Sequence, residues 1–177
     1  MSELENQIKQ TIRNVADFPK EGISFKDITP VLANPKLCLK ISHALKDYWT
    51  DHKVDGIIGI ESRGFLFGMQ IAQLLSVPFI LVRKAGKLPY RTIKHAYELE
   101  YGSAEIEMHI DAVSDGHGIV IHDDLLATGG TAAAAAELVQ KSGGKVEGFS
   151  FLVELEFLKA RDQIKKYSDH IHSVVHY

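Results

Sequence analysis

Residues 119–131, Ile-Val-Ile-His-Asp-Asp-Leu-Leu-Ala-Thr-Gly-Gly-Thr, hold the densest chemistry in the chain. An apolar run ends in two carboxylates, Asp123 and Asp124. It then passes through Ala127, Thr128, Gly129, Gly130 and Thr131 into five alanines that read as a helix. The start of a helix offers free backbone N–H groups and the positive end of the helix dipole. Glycines let an anion approach the backbone closely, and Thr128 and Thr131 add hydroxyl donors. Residues 127–131 therefore read as a nest for a phosphate monoester. Asp123 and Asp124, at the carboxyl end of a strand, suit the hydroxyls of a sugar. The expected ligand is a phosphorylated sugar. Neither a P-loop Gly-Lys-Ser/Thr nor a Gly-x-Gly-x-x-Gly fingerprint occurs at this turn. The plainer alternative is a helix capped by its own Thr or Asp after a solvated acidic turn.

A second anion site is suggested by Glu61-Ser62-Arg63-Gly64, which follows an apolar strand and opens a helix. Ser62 and its backbone face an anion there, and Arg63 adds charge-assisted contacts unless it is a surface arginine. Residues 83–95 are basic and lack apolar periodicity. Arg83, Lys84 and Lys87 would stabilise charge developing on a leaving group, with Gly86 as a pivot, or would form a solvated charge run. Phe25 lies in a segment bounded by Pro19 and Pro30 and would stack on a flat base or join the core. Glu98 and Glu100 share a strand face, where either could move a proton or be solvated. His122 reads as a buried, hydrogen-bonded histidine. The nine histidines show no metal-ligand spacing, and Cys38 reads as buried on a helix rather than nucleophilic.

The elements that position these residues follow from periodicity and punctuation. A first helix is expected over 3–14, then an ordered loop over 19–30. Pro35 starts a second helix with Leu37, Ile41, Ala44, Leu45 and Tyr48 on one face. Strand 54–60, helix 64–75 and strand 78–82 make a βαβ unit. Alternating stretches at 97–101 and 105–110 read as two strands joined at Gly102-Ser103. Strand 118–122, helix 131–141, a Gly143-Gly144 stop and strand 146–155 complete the core. Ile171, Val174, Val175 and Tyr177 form a last strand or pack on a partner subunit. The fold class is α/β: a mostly parallel, twisted sheet flanked by helices on both faces.

At 177 residues one domain is expected, with residues 1–34 a small N-terminal segment. A net charge of −3 provides no basic field for nucleic acid. A single cysteine excludes an internal disulfide and fits a reducing compartment. The acidic start is not a signal peptide, and no apolar run approaches the roughly 20 residues that span a bilayer. The expected setting is the cytoplasm, without membrane association.

Asp123-Asp-Leu-Leu-Ala-Thr-Gly-Gly-Thr131 resembles the phosphoribosyl diphosphate (PRPP) motif of the type I phosphoribosyltransferase family. Phe18-Pro19, residues 22–32, 61–68 and 82–89, Leu99-Glu-Tyr-Gly102 and Leu152-Val-Glu-Leu155 extend the resemblance and point to its adenine-using branch. The resemblance spans roughly residues 15–160. It implies a small hood, a flexible lid loop, and a transfer of phosphoribose from PRPP to adenine that releases diphosphate. The implied site has Asp123, Asp124 and residues 127–131 on the ribose and phosphate. It has Ser62, Arg63, Arg83, Lys84 and Lys87 on the diphosphate. Ser24 and Lys26 read the base through their backbone, between Phe25 and Leu155. Glu100, beside Tyr101, is the implied catalytic carboxylate, with Arg83 and Lys87 assisting. The resemblance further implies a loop after Glu61 that often holds a non-proline cis peptide. It also implies Mg²⁺ held mainly by substrate and water, with no direct protein ligand, and a homodimer whose lid can reach the partner's site. Tyr90-Arg91 departs from the small or proline residues expected after Leu88-Pro89, and His122 from an apolar residue. The rivals are transfer to hypoxanthine, guanine, xanthine or orotate, and a non-catalytic PRPP sensor. Val153-Glu-Leu155 lacks the lysine that reads a 6-oxo group, and Glu154 would suit an amino group better.

Overall fold

The computed structural model describes residues 2–98 and 103–177. Helix α1 (Glu3–Thr11) is shorter than the expected 3–14. Ser2 caps it by accepting from the Glu5 N–H at 3.1 Å. Ile12 turns extended, and strand β1 (Arg13–Ala16) pairs antiparallel with β2 (Ser24–Asp27) as a separate two-stranded sheet. The expected loop over 19–30 therefore contains a strand, followed by the one-turn helix α2 (Thr29–Leu32).

Helix α3 (Pro35–Trp49) starts where Pro35 predicts, with Asn34 accepting from the Leu37 N–H at 3.1 Å. Leu37, Ile41 and Leu45 face the core as expected, but Trp49 continues the four-residue spacing and is buried, while Tyr48 is exposed. Strand β3 (Gly56–Ile60), helix α4 (Gly64–Leu75) and strand β4 (Phe79–Lys84) form the βαβ unit, with β3 and β4 parallel. Strand β5 (Thr92–Glu98) begins inside the basic stretch expected to be irregular. It pairs antiparallel with β6 (Ser103–His109), and β6 pairs antiparallel with β4. The expected joint at Gly102 and most of the expected strand 97–101 lie outside the described residues.

Strand β7 (Gly118–Leu126) runs four residues past the expected end, so Asp123 and Asp124 sit on the strand itself. Helix α5 (Gly130–Lys141), strand β8 (Lys145–Glu154), a 3-10 turn (Glu156–Leu158), helix α6 (Arg161–Ile164) and strand β9 (Ile171–His176) follow. The seven-stranded sheet has the order β5-β6-β4-β3-β7-β8-β9. Its β4-β3-β7-β8-β9 part is parallel. Alternate strand residues feed two cores. Ile58, Ile60 and Ile121 join the alanines of α5 on one face. Ile57 and Val120 join Trp49, Phe67 and Ile71 on the other, where Ile8, Ile12, Ile28 and Val31 are also buried. Both faces are covered, as a parallel sheet requires. No helix among the described residues is long and apolar enough to cross a membrane.

Candidate active site

The switch in strand order lies between β3 and β7, where the chain runs outward to β4 on one side and to β8 on the other. Open α/β sheets bind ligands beyond the carboxyl ends of such strands. The two expected anion loops, 61–64 after β3 and 127–131 after β7, both open there.

Gly129 is the N-cap of α5 at φ 87°, and no side chain caps the helix. A non-glycine residue is strained at that angle. The self-capped alternative is thereby overturned: the first-turn N–H groups of α5 have no helical acceptor, and no side chain replaces one. Ala127, Thr128, Gly130 and Thr131 line a cleft of about 1060 Å³. Its other walls carry Ser24, Phe25, Lys26 and Leu155, so the residues expected to hold a base and those expected to hold a phosphate share one space. Gly129 lines a small adjoining recess of about 70 Å³ with Asp123.

A second recess of about 170 Å³ lies beside Thr131 and is lined by Glu61, Arg83, Lys84, Tyr97 and Asp123. Asp123 is set deep in the structure with one edge open to this recess. Burial, and then the charge of Asp124, raise its carboxyl well above the usual carboxylate range. Tyr97 Oη and Thr131 Oγ1 are 3.2 Å apart, tying β5 to the start of α5.

The diphosphate candidates divide. The Glu61–Ser62 peptide is cis. Arg83 binds Glu61 with two nitrogens, at 3.2 and 3.0 Å, and donates from Nη1 to the Lys87 carbonyl at 3.1 Å. The Lys84 N–H also donates to Glu61, at 3.0 Å. The hydrogen bond from Arg83 is the main reason the Glu61 carboxyl titrates below its ordinary value. Ser62 is exposed at the start of α4. Arg63 turns away from the Arg83 recess: its Nε donates to Asp124, and its guanidinium lies 5.5 Å from the Phe25 ring centre. Asp124 is buried and committed to Arg63, so only Asp123 of the two aspartates lines a recess. Gly64 permits this loop to sit on β7, because a Cβ there would fall 2.7 Å from the His122 carbonyl oxygen.

Lys84 and Lys87 are exposed. The basic stretch is not loose at its ends, since the Ala85 N–H donates to Glu105 O at 2.9 Å and the Ile110 N–H to Arg91 O at 3.2 Å. Glu100 and Tyr101 lie outside the described residues.

His122 is fully buried as expected but not hydrogen-bonded. The Ser150 backbone lies beside it without reaching bonding geometry at either ring nitrogen, and burial pushes its pKa down to about 3. Glu154 does not read a base amino group. Its two oxygens accept from Arg161 at 2.7 and 2.8 Å and from Ser173 at 2.7 Å. Burial raises the Glu154 pKa, but these hydrogen bonds outweigh it and hold the carboxyl below its usual range.

Several cleft residues escape sequence reasoning. Phe157, Leu158, Gln163 and Tyr177 line the large cleft, and the Lys26 ammonium lies 4.3 Å from the Tyr177 ring centre. Phe157, Leu158 and Gln163 reach the cleft from the turn and short helix after β8, and Tyr177 from the end of β9 beside β8. Glu61 had a legible signal: it follows Ile60, which pairs with Val82, so it must face Arg83 across two parallel strands.

The Phosphoribosyl transferase domain family matches residues 27–175. The chain is 49% identical over 174 residues to the adenine phosphoribosyltransferase of Cytophaga hutchinsonii, covering 98% of this chain and 96% of that protein. It is similar to the crystal structure of adenine phosphoribosyltransferase from Thermoanaerobacter pseudethanolicus, with TM-score 0.93, 48% identity, and coverage of 97% and 99% of the two chains. The Saccharomyces cerevisiae enzyme, complexed with an imino-altritol bisphosphate and adenine, matches with TM-score 0.91 and 39% identity over 98% of this chain and 99% of that one.

Proposed function

The chain belongs to the phosphoribosyltransferase family, among its adenine phosphoribosyltransferases, and from that premise we propose how its residues divide the work of purine salvage. The reaction joins adenine to PRPP and yields AMP and diphosphate. The observation that carries the assignment of roles is the single cleft shared by Phe25, Leu155 and the uncapped start of α5.

The base lies between Phe25 and Leu155, and the backbone of Ser24 and Lys26 reads its edge. Stacking on Phe25 is indifferent to base identity, so selectivity belongs to the backbone groups. Residues 1–34 act as a hood, since β1 and β2 form their own sheet and Phe25 reaches the cleft from it. The 5′-phosphate sits on residues 127–131, where free N–H groups and the helix dipole favour a dianion. Asp123 accepts from ribose hydroxyls. Asp124 acts one step back, by holding Arg63 against Phe25.

As the C1′–O bond to diphosphate breaks, negative charge grows on the leaving group and positive charge on the ribose. Arg83, Lys84 and Lys87 stabilise the first, and the Asp123 carboxylate favours the second. N9 of adenine attacks C1′ from the opposite face, and Glu100 is assigned the proton shed by the imidazole ring. Ser62 bounds the diphosphate on the α4 side, while Arg63 is held on the Phe25 side by Asp124.

Mg²⁺ fits this site as an ion carried by substrate. The recess offers the carboxylates of Asp123 and Glu61, and Glu61 is already occupied by Arg83. A hard cation that keeps its waters suits so sparse a donor set. When bound, it neutralises diphosphate oxygens.

The active assembly is a homodimer. Leu66 and Met69, on the outer side of α4, are exposed, and so is Leu81, which shares a strand face with the packed Phe79. Exposed apolar groups on one side of a sheet suit a second copy. The compartment is the cytoplasm, in keeping with the free Cys38. The division of roles is tested by replacing Phe25 with alanine. KM for adenine should rise about tenfold, as expected for loss of one stacked base, with KM for PRPP nearly unchanged. A rise confined to PRPP would overturn the placement of the base.

A further inference from the structure

We propose that Glu107 is a positioning residue for the diphosphate end of the site, where its carboxylate fixes the peptide of Lys87. The inference rests on the assignment of Lys87 given above. Strands β4 and β5 lie on either side of β6, so residues 85–91 must cross over β6 to connect them. Glu107, on β6, pairs with Arg83 on one neighbour and with Lys94 on the other. It therefore stands beneath the crossing and is only 2% exposed. Its Oε1 accepts from the N–H of Lys87 at 2.8 Å and of Leu88 at 2.9 Å. Its Oε2 accepts from the Thr92 hydroxyl at 3.1 Å, with the Lys94 ammonium at 4.0 Å.

The Lys87 peptide is held at both ends. Its N–H donates to Glu107, and its carbonyl accepts from Arg83, which Glu61 in turn holds with two hydrogen bonds. A covered carboxylate is costly unless donors surround it, and here both backbone donors come from the crossing segment. The bonds therefore act on the shape of that segment as much as on the sheet. The lysine stem is flexible, so the reach of its ammonium depends on where its backbone sits. Misplacement by about 1 Å is enough to weaken stabilisation of a leaving group. Removal of the carboxylate leaves three donors without an acceptor and frees the peptide to move.

The test is steady-state kinetics of Glu107→Ala, Glu107→Asp and Glu107→Gln with adenine and PRPP, with melting temperature measured in parallel. Wild-type turnover to AMP verifies the reaction on its own, so the variants report only on Glu107. Glu107→Ala should raise KM for PRPP about tenfold, the scale of losing a hydrogen bond to a charged acceptor, and leave KM for adenine within about twofold. Glu107→Gln should restore it, because one amide oxygen can take both N–H groups while the Thr92 hydroxyl turns to accept. If Glu107→Ala does not fold, Glu107→Asp decides: it keeps the charge but is one methylene too short, and should show the same PRPP-specific rise. Unchanged KM for PRPP in folded Ala or Asp variants would overturn the proposal. So would parallel rises for both substrates, or a Gln variant as impaired as Ala.

Discussion

Asp123 and Asp124 are adjacent in sequence and differ in environment. Asp124 is buried against Arg63, while Asp123 keeps an open edge and holds its proton above the usual range because of burial and its neighbour's charge. A raised carboxyl pKa means that the contribution of Asp123 to stability is full below its unfolded value of 3.8 and is lost as pH rises through the folded value. A cationic transition state or a substrate-borne cation favours the ionised form. PRPP with Mg²⁺ should therefore bind more tightly as pH rises through that value and should release a proton. Calorimetry in two buffers of different ionisation enthalpy measures this release, and Asp123→Asn should abolish it and raise Kd for PRPP about tenfold or more. Proton release that survives the substitution would place the titrating group elsewhere. Much at this scale was legible in the sequence. The run 123–131 reads as an anion nest, and α5 starts without a side-chain cap, which leaves its first N–H groups open. The pairing of Arg63 with Asp124 was not legible, because it joins residues 61 positions apart through the contact of β3 with β7.

Element by element, local signals did well where they did not depend on a distant partner. Pro35 with Asn34 fixed the start of α3, and Gly64–Leu75 matches the expected helix residue for residue. Strand β1 was hidden because nothing local separates Arg13–Ala16 from the helix before it; only pairing with Ser24–Asp27 makes it a strand. Strand β5 was hidden by its charge, since Lys94 and His95 obscure an alternation that places Tyr97 toward α5. Gly64 shows how element contact shapes the site. Gly64→Ala would drive a methyl group into the His122 carbonyl, which belongs to the central strand and cannot yield. Overpacking of this kind costs about 1–3 kcal/mol. The melting temperature should fall, and KM for PRPP should rise because Ser62 and Arg63 move with the helix start. A stable variant with unchanged kinetics would show that the loop tolerates a wider approach. Glu154 makes a second test of an anchoring pair. Glu154→Ala should lower stability by about 1–2 kcal/mol, less than a fully buried pair because Arg161 is 43% exposed. Its KM for adenine should also rise, since Leu155 is the next residue; denaturant unfolding and kinetics together check this.

For the whole molecule, the covered sheet and the one-sided apolar exposure lead to the same expectation. Sedimentation should give a dimer, and Leu66→Glu combined with Met69→Lys should give a monomer with weakened turnover. A wild-type monomer at micromolar concentration would remove the second copy from the account. The parallel sheet covered on both faces was foreseeable from short apolar runs separated by helical segments. The cleft was foreseeable only in part, because Phe157 and Gln163 line it from the turn and short helix after β8, and Tyr177 from the end of β9 at the edge of the sheet. The central claim is that one cleft joins a base to a phosphorylated ribose and expels diphosphate. It is tested most directly by measuring diphosphate release from PRPP and Mg²⁺ with adenine, hypoxanthine, guanine and orotate in parallel. The account predicts release with adenine alone, matched by AMP. Release with a 6-oxo base, or PRPP binding without release for any base, would contradict it.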